Sequence, residues 1–544
     1  MQDIVEKSFQ QRQQQQPLLI GLSLAVLGGL ATFLAAPAYS LWPLVFLGIA
    51  AFALIALSNS PLRAALLSFL WAGTYFFALF DWITIAAGTP IARIVLAFVL
   101  SLYFGVIGWI WALIFSPYRN FTGSRQAKAL NFFPLLGTIS LASFVWLGGE
   151  QLRMSFPLGG MPWGNIAFSL TDSPLLKLAR FGSTQLIQFF ALLIGIGLAF
   201  AWYALKRKRI FVCAALGFMS AALVVAPFGI PNLKLDGPHL SALIVQGNAP
   251  ESFGNYLSGE RALEITENHV ALTAKTYDDQ VDLIIWPESA SDRDLRTDLE
   301  AGAAFSKTVD LIGKTPILLG TQEYSADEQQ RTNDYLLFVD GAIAGKYSKQ
   351  HPVPFGEYVP WRETIGKYFT QIEQISSDMI PGKTPARIEV TLKQPIFQGT
   401  DENGEANPIS RIVIGTPICF EVAFDDIVNQ AASESDFLVF PTNNSSFGRS
   451  NQTAQQFAMA RLRAVEHQKT AVQAAASGIT GVIDANGVVA YETEIFTAAA
   501  RTQKIELRKD PSFATQTYSY RVQLVYLLVA VGSCIGIIRY VRNR

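Results

Sequence analysis

Apolar runs long enough to cross a bilayer recur along the chain, most of them before residue 230. A spanning helix needs about 20 consecutive apolar residues. Residues 1–229 are therefore predicted to form a membrane domain of seven transmembrane helices, and 518–544 an eighth helix with a tail. The predicted spans, about eight in all, are 17–36, 41–58, 62–87, 91–115, 131–149, 185–204, 210–228 and 522–539.

The pattern changes between residues 230 and 517, where short apolar runs alternate with longer amphipathic stretches. Runs of four to six residues rich in Val, Ile, Leu or Phe and bounded by Gly, Pro, Asp or Asn predict strands. Helices are predicted at 257–277 and 452–468, and a hairpin at 470–484. Strands joined by helices favour an α/β domain with a helix-covered sheet. The predicted strands are 242–245, 281–285, 316–319, 335–339, 411–414, 437–440, 470–473 and 480–483.

Positive charge alternates between the loops of the membrane domain. Cytoplasmic loops are enriched in Lys and Arg, and the loops at 37–40 and 88–90 carry neither residue. The charged loops should therefore be cytoplasmic, with both termini, and the 230–517 domain should lie outside the cytoplasm. The cytoplasmic set is Lys7, Arg12, Arg63, Arg119, Arg125, Lys128, 206–209, Arg539, Arg542 and Arg544.

The overall composition argues against nucleic-acid binding, disulfide bonds and metal or cofactor sites. The net charge is −1 and there is no long basic tract, so no nucleic-acid partner is expected. Of three cysteines, Cys213 and Cys534 lie in apolar runs, which leaves no pair for a disulfide in the soluble domain. With four histidines and neither C-x-x-C nor H-E-x-x-H, no metal site or cofactor is expected.

Three chemically useful residues follow predicted strands: Glu288, Lys349 (after the strand ending near Val339) and Cys419. Each has a structural alternative: Glu288 as the cap of a helix starting at Ser289, Lys349 as a surface charge, and Cys419 as a small buried apolar residue. Together, a carboxylate that takes a thiol proton and an ammonium that stabilises negative sulfur or oxygen suffice for acyl transfer through a thioester.

Two further segments suggest lipid contacts. In the loop at 150–184, Arg153 and Arg180 could hold a lipid phosphate, because the guanidinium fork matches phosphate geometry. The alternative is an ordinary loop at headgroup level. The aromatic stretch 358–380 is interpreted as an arm that dips into the membrane, or alternatively as side chains packed on their own domain.

Three motifs resemble the nitrilase superfamily, whose active site is a Glu-Lys-Cys triad. They are Trp286-Pro287-Glu288-Ser289, the stretch 347–357 (YSKQHPVPFGE) and Pro417-Ile418-Cys419-Phe420-Glu421. A nitrilase-like domain between seven helices and an eighth is similar to the apolipoprotein N-acyltransferases in particular. Residues 245–248, 459–466 and 477–484 strengthen that resemblance.

The resemblance implies an αββα sandwich for the extracytoplasmic domain. It also implies a general base in Glu288, a nucleophile in Cys419 and an oxyanion-stabilising cation in Lys349. Glu357 would support them, and Phe420 and Glu421 would line the pocket beside the cysteine.

The implied enzyme is a monomer in the bacterial plasma membrane. It takes an acyl chain from a phosphatidylethanolamine-like phospholipid and transfers it to the α-amino group of a diacylglyceryl-apolipoprotein. The alternatives are a membrane-tethered amidase or hydrolase, in which water resolves the thioester, and a transporter or scaffold with an inactive nitrilase-like domain.

Two positions depart from the family pattern. Residues 443–448 (NNSSFG) stand where many members have Asn-Asp-Ala-Trp-Phe-Gly, and Gln456 stands where histidine is common. Both lie beside the expected site rather than in the triad, so they affect donor preference rather than the chemistry. This variant resembles the actinobacterial branch.

Overall fold

The computed structural model describes residues 17–120, 131–249, 259–365, 375–400 and 406–542. It contains two compact units. The first comprises Met1–Thr84, Thr89–Pro231 and Thr517–Arg544, and the second comprises Ile85–Gly88 and Asn232–Gln516.

The first unit is helical, and each predicted apolar run lies on a helix. Among the described residues, six helices are long and apolar enough to cross a membrane, and Leu44–Ser58 is a shorter apolar helix. The membrane domain is thus confirmed, whereas the count of eight spans stays a prediction. The helices are α1 (Leu18–Ala35), α2 (Leu44–Ser58), α3 (Pro61–Leu79), α4 (Asp81–Ala86), α5 (Pro90–Ile114), α6 (Ser116–Asn120), α7 (Phe132–Arg153), α8 (Ala179–Lys206) and α9 (Ile210–Val225), with α16 (Tyr518–Arg542) at the C-terminus.

Aromatic side chains fill the core of this unit. Phe52 packs edge-to-face on Trp111 and Trp146, with ring centroids 5.1 and 5.2 Å apart, a favourable geometry for aromatic pairs. By contrast, Phe98 and Phe218 are 56% and 77% exposed. Such large apolar side chains are costly in water but suit contact with lipid.

The second unit contains two sheets. The first has the strand order β13-β1-β2-β3-β4-β5 with β6 beside β4, and the second has the order β12-β11-β10-β9-β8-β7. Strands β1, β2 and β3 run parallel, as do β8, β9 and β10. The strands are β1 (His239–Gln246), β2 (Leu283–Ile285), β3 (Ile317–Tyr324), β4 (Gln330–Val339), β5 (Ala342–Ser348), β6 (Asp378–Met379), β7 (Arg387–Thr400), β8 (Ala406–Gly415), β9 (Phe437–Thr442), β10 (Ala471–Ala475), β11 (Gly481–Ile483), β12 (Val489–Glu492) and β13 (Ala499–Glu506).

Helices cover both sheets. Helix α10 packs on β1 and β13 of the first sheet, α13 and α14 pack on the second, and β1 contacts β10 between the sheets. These layers confirm the αββα sandwich. Antiparallel pairing of β10 with β11 also confirms the hairpin. The helices of this unit are α10 (Gly259–Thr276), α11 (Leu299–Ile312), α12 (Arg362–Ile365), α13 (Asp425–Ala432), α14 (Gln452–His467) and α15 (Phe513–Gln516).

Five strands were not expected from the sequence: β5, β6, β7, β12 and β13. Strand β5 corrects one detail of the site, because Lys349 directly follows β5 rather than the strand that ends at Val339. The first four residues of β5 (AIAG) are exposed or partly exposed, and Ile343 is the only large apolar side chain among them. The strand therefore lacks the apolar run typical of a buried strand.

Candidate active site

The triad is assembled from the ends of both sheets. Glu288 follows β2, Lys349 follows β5 and Cys419 follows β8. Glu288 is 4% exposed and Lys349 is 1% exposed, which excludes the surface-charge alternative for the lysine. The helix-cap alternative for Glu288 is also wrong, since the next helix begins at Leu299.

Lys349 lies between two carboxylates. Its Nζ donates to Glu357 Oε1 at 2.6 Å and to Glu288 Oε1 at 3.5 Å. Burial alone would lower the pKa of Lys349, but the negative charges of Glu357 and Glu288 outweigh it and raise that pKa above its usual value of 10.5. The ammonium is therefore charged across the neutral range and available to stabilise an oxyanion.

Glu288 is held in place by two donors. Asn333 Nδ2 donates to Oε1 at 2.7 Å, and the backbone N–H of Asn443 donates to Oε2 at 2.8 Å. Burial raises the pKa of Glu288 above its usual 4.5, although Lys349, Asn333 and a hydrogen bond with the Cys419 thiol oppose that rise. A carboxylate with a raised pKa beside the thiol is well placed to take its proton.

Cys419 occupies an unusual backbone conformation with φ of +53°. Its side chain is partly exposed, and Thr442 Oγ1 and Gln456 Nε2 donate to the sulfur at 3.2 and 3.7 Å. Desolvation and the negative charge of Glu288 raise the pKa of Cys419 to about 12 despite Lys349. The resting group is thus a thiol, and attack requires a base.

The two supporting glutamates brace different loops. Glu357 Oε2 accepts from the backbone N–H of Val353 at 2.7 Å while its other oxygen holds Lys349. Glu421 is fully buried and accepts from the backbone N–H groups of Ile418 at 2.7 Å and Gln350 at 2.6 Å. Burial raises the pKa of Glu421 to about 7, while the backbone N–H groups of Ile418 and His351 pull it down. The chain segments that carry Cys419 and Lys349 are therefore joined through one carboxylate.

Phe420 packs against an aromatic neighbour. Its ring meets that of Phe424 edge-to-face, with centroids 5.0 Å apart, and the residue is 8% exposed. Its role in the substrate pocket stays a prediction.

Arg153 and Arg180 belong to the first unit. Arg153 is fully buried, pairs with Glu150 at 2.8 Å, and donates to the carbonyls of Met161 and Trp163. Arg180 is 4% exposed and donates to the carbonyl of Pro231 at 3.0 Å. These contacts give Arg153 a structural role in its loop, and the headgroup contacts of both arginines stay predictions.

The expected membrane arm is described in part, and Tyr368 and Phe369 lie outside the described residues. Trp361 is 66% exposed and Ile380 is 40% exposed. Arg362 ties the two ends of the segment together through an ion pair with Asp378. Insertion into a membrane stays a prediction.

Sequence reasoning missed three polar contacts in the site. Asn333 on β4 and Thr442 at the end of β9 touch the triad, and the Tyr347 hydroxyl donates to Glu421. For Asn333 and Thr442 the available signal was a polar residue within or at the end of a buried strand. Tyr347 gave no such signal, because most of β5 is exposed or partly exposed. In the part of the chain that the structure describes, no cluster of three or more His, Cys, Asp or Glu could hold a metal ion.

Two protein-family models match this chain. The apolipoprotein N-acyltransferase N-terminal domain matches residues 28–197, and carbon-nitrogen hydrolase matches residues 244–507. An apolipoprotein N-acyltransferase of Mycolicibacterium smegmatis is 28% identical over 543 residues, covering 94% of this chain and 84% of that protein. One from Pseudomonas putida is 27% identical, covering 88% and 89%. Because these identities are nearly equal, assignment to the actinobacterial branch stays a prediction.

One solved structure similar to this chain is a CN-hydrolase superfamily protein from Xanthomonas campestris. It is 17% identical, with a TM-score of 0.34, and covers 53% of this chain and 96% of its own.

Proposed function

The chain belongs to the apolipoprotein N-acyltransferase family, and we propose from this premise that Cys419 carries an acyl chain from a membrane phospholipid to an apolipoprotein. The acceptor is the α-amino group of an S-diacylglyceryl-cysteine at the N-terminus of the apolipoprotein. The single observation that carries the residue assignment is the buried contact of Glu288 with the Lys349 ammonium at 3.5 Å, beside Cys419. Adjacent residues hold the carboxylate and the thiol, since Asn443 donates to Glu288 and Thr442 donates to the Cys419 sulfur.

In the first half-reaction the Cys419 proton passes to Glu288 as the sulfur bonds to the ester carbonyl carbon of the phospholipid. Lys349 stabilises the negative oxygen of the tetrahedral intermediate. The ester C–O bond then breaks, and Glu288 returns the proton to the departing lysophospholipid oxygen. The product is a thioester on Cys419.

In the second half-reaction the lipoprotein amine attacks the thioester and gives a proton to Glu288. The C–S bond breaks, and the sulfur recovers the proton from Glu288 while an amide remains on the lipoprotein. The same base therefore serves both steps, as a ping-pong reaction requires.

The proposed acyl donor is a phospholipid that stays in the bilayer while it reacts. Moving an acyl chain into water costs roughly 0.8 kcal/mol per exposed CH₂, so a two-chain phospholipid must react without leaving the bilayer. The family resemblance leads us to propose a phosphatidylethanolamine-like donor. All three triad residues come from one unit of one chain, which supports a monomer as the active form.

We further propose that the protein lies in the bacterial plasma membrane with both termini cytoplasmic and the catalytic unit outside. The support is the alternation of positive charge between loops. A membrane-impermeant maleimide tests this in whole cells, applied to single cysteines introduced at Tyr39 and Lys206 in a background that carries Cys213→Ser, Cys419→Ala and Cys534→Ser. Labelling at position 39 alone is expected, and labelling at position 206 alone would reverse the orientation.

The activity itself is tested with purified protein, a phospholipid and a synthetic diacylglyceryl-cysteine peptide. A triacylated peptide and a lysophospholipid, detected by mass spectrometry, are expected. Free fatty acid without triacylated peptide would instead favour the hydrolase alternative, in which water takes the place of the amine. Absence of any acyl adduct on Cys419 would favour the transporter or scaffold alternative.

A further inference from the structure

Two uncharged side chains outside the triad point donors at the reacting sulfur. Thr442 Oγ1 lies 3.2 Å from Cys419 Sγ, and Gln456 Nε2 lies 3.7 Å from it. Thr442 ends β9 and Gln456 is on α14, and both are fully buried. Neither side chain changes its charge in the physiological range, so neither can act as the base.

The amide of Gln456 is oriented by its neighbours. Its Oε1 accepts from Asn444 Nδ2 at 2.7 Å, from Gln452 Nε2 at 3.1 Å and from Thr442 Oγ1 at 3.2 Å. Donors surround the oxygen, so the NH₂ group faces the sulfur. Fixing an amide in this way removes the reorganisation that a free side chain would need in each turnover.

Thr442 has a single hydroxyl proton and two acceptors, Cys419 Sγ and Gln456 Oε1, both at 3.2 Å. A charged acceptor makes a hydrogen bond about twice as strong as a neutral one. The hydroxyl can therefore donate to Gln456 while Cys419 is a thiol and turn to the sulfur when negative charge develops there.

We propose that Thr442 and Gln456 form an uncharged donor pair that stabilises the Cys419 sulfur while it carries negative charge. This inference deepens the proposed function and rests on Cys419 being its nucleophile. The sulfur is negative twice in the cycle. The sulfur first becomes negative in the first half-reaction, when its proton moves to Glu288 and before the S–C bond is complete. It becomes negative again in the second half-reaction, when the C–S bond breaks and before Glu288 returns the proton.

Cysteine alkylation tests the pair without needing either substrate. The full-length protein in detergent is treated with iodoacetamide between pH 6 and 10, and the rate of adduct formation on the Cys419 peptide is measured by mass spectrometry. Gln456→Met removes the donor at similar size, and Thr442→Val removes the hydroxyl. Each is expected to slow alkylation about tenfold at every pH, the equivalent of one unit in the thiol pKa.

Two controls separate this effect from loss of packing. Thr442→Ser keeps the hydroxyl and should restore a rate near that of the natural chain. Gln473→Met changes another buried glutamine, whose amide donates to the carbonyl of Ile479 at 2.8 Å, and should leave alkylation unchanged.

Unchanged or faster alkylation in Gln456→Met would overturn the proposal, because the amide would then not stabilise negative charge on the sulfur. Equal slowing in Gln473→Met would overturn it as well, since the effect would then be structural. Failure of the proposed function is recognised separately, as absence of triacylated peptide while alkylation still responds to Gln456 and Thr442.

Discussion

Tyr347 donates its hydroxyl to both carboxylate oxygens of Glu421, at 2.9 and 2.8 Å. Tyr347 lies two residues before Lys349, and Glu421 lies two residues after Cys419. The contact thus joins the segment that carries Lys349, after β5 of the first sheet, to the segment that carries Cys419, after β8 of the second. The backbone N–H groups of Gln350 and His351 also donate to Glu421, so several buried hydrogen bonds hold the two segments together.

Replacing Glu421 should damage the site more than replacing Tyr347. Tyr347→Phe removes one donor and should cost about 1–3 kcal/mol of unfolding free energy. Glu421→Gln replaces one acceptor oxygen by an NH₂ group, so a backbone N–H that bonds Glu421 would face another donor or lose its partner. This variant should lose more unfolding free energy than Tyr347→Phe, and it should strongly slow acylation of Cys419. Unfolding midpoints and adduct rates measure both effects. Tyr491→Phe, on β12, is the matched control, and equal losses in all three variants would contradict this role.

Variants of Cys419 test the nucleophile directly. Cys419→Ala should abolish the acyl adduct, since no sulfur remains. Cys419→Ser should nearly abolish turnover, because an alkoxide is much harder to generate than a thiolate. Intact-protein mass spectrometry after incubation with phospholipid detects the acyl adduct, and the amount of triacylated peptide formed with the peptide acceptor measures turnover. Turnover comparable to that of the natural chain in either variant would refute the assignment.

The pH profile of acylation should have an acidic limb set by Glu288. The base works only when deprotonated, and its pKa is raised above 4.5 mainly by burial. Acylation should therefore fall as the pH drops through a value above 4.5. The raised pKa of Lys349 keeps its charge through pH 10, so no loss from the lysine is expected below that pH.

The profile is measured as the initial rate of Cys419 acylation from a fluorescent phospholipid between pH 4 and 9. Glu288→Gln should lower the rate about 10²–10⁴-fold and remove the acidic limb. An acidic limb at or below pH 4.5, or one that persists in Glu288→Gln, would show that another group is the base.

Arg463 should be a large contributor to stability beneath the site. Its buried guanidinium pairs with Glu466 at 2.6 Å and Asp425 at 2.8 Å, and it donates to the carbonyls of Val422 and Ala423 in the turn after Cys419. Arg463→Met leaves two buried carboxylates without their cation and should cost about 3–5 kcal/mol.

Thermal unfolding in detergent measures this loss, with Arg411→Met as the control because Arg411 is largely exposed. A midpoint for Arg463→Met equal to that of Arg411→Met would show that the buried cluster adds nothing to stability.

The elements that bury apolar side chains were predictable from the sequence. The strands that lead into Glu288 and Cys419, β2 and β8, carry dense runs of Leu, Ile and Val and were expected. Strand β5 was not, because four of its seven residues are exposed. The periodic pattern of apolar residues in a sequence reflects which side chains are buried. A strand at the exposed edge of a sheet therefore has only a weak pattern of this kind.

The three proposed catalytic residues and the supporting Glu357 were predicted from their motifs, whereas the other contacts around them were not. Glu421 was expected in the pocket, but it is fully buried and braces two loops. Asn333 lies on a strand 45 positions from Glu288 and gives no local sign of their contact. Such pairings depend on how distant strands come together, which a single sequence does not reveal.

At Cys419 the backbone conformation and the proposed reaction favour different residues, because φ is positive there. That conformation suits glycine, which has no side chain to crowd the preceding carbonyl, but only cysteine supplies the sulfur. Cys419→Gly should therefore unfold at a temperature no lower than that of Cys419→Ala, although neither can react. In a relative no longer selected for the proposed acyl transfer, glycine would be the least strained replacement, so a glycine at this position would indicate a chain that keeps this fold without the proposed reaction.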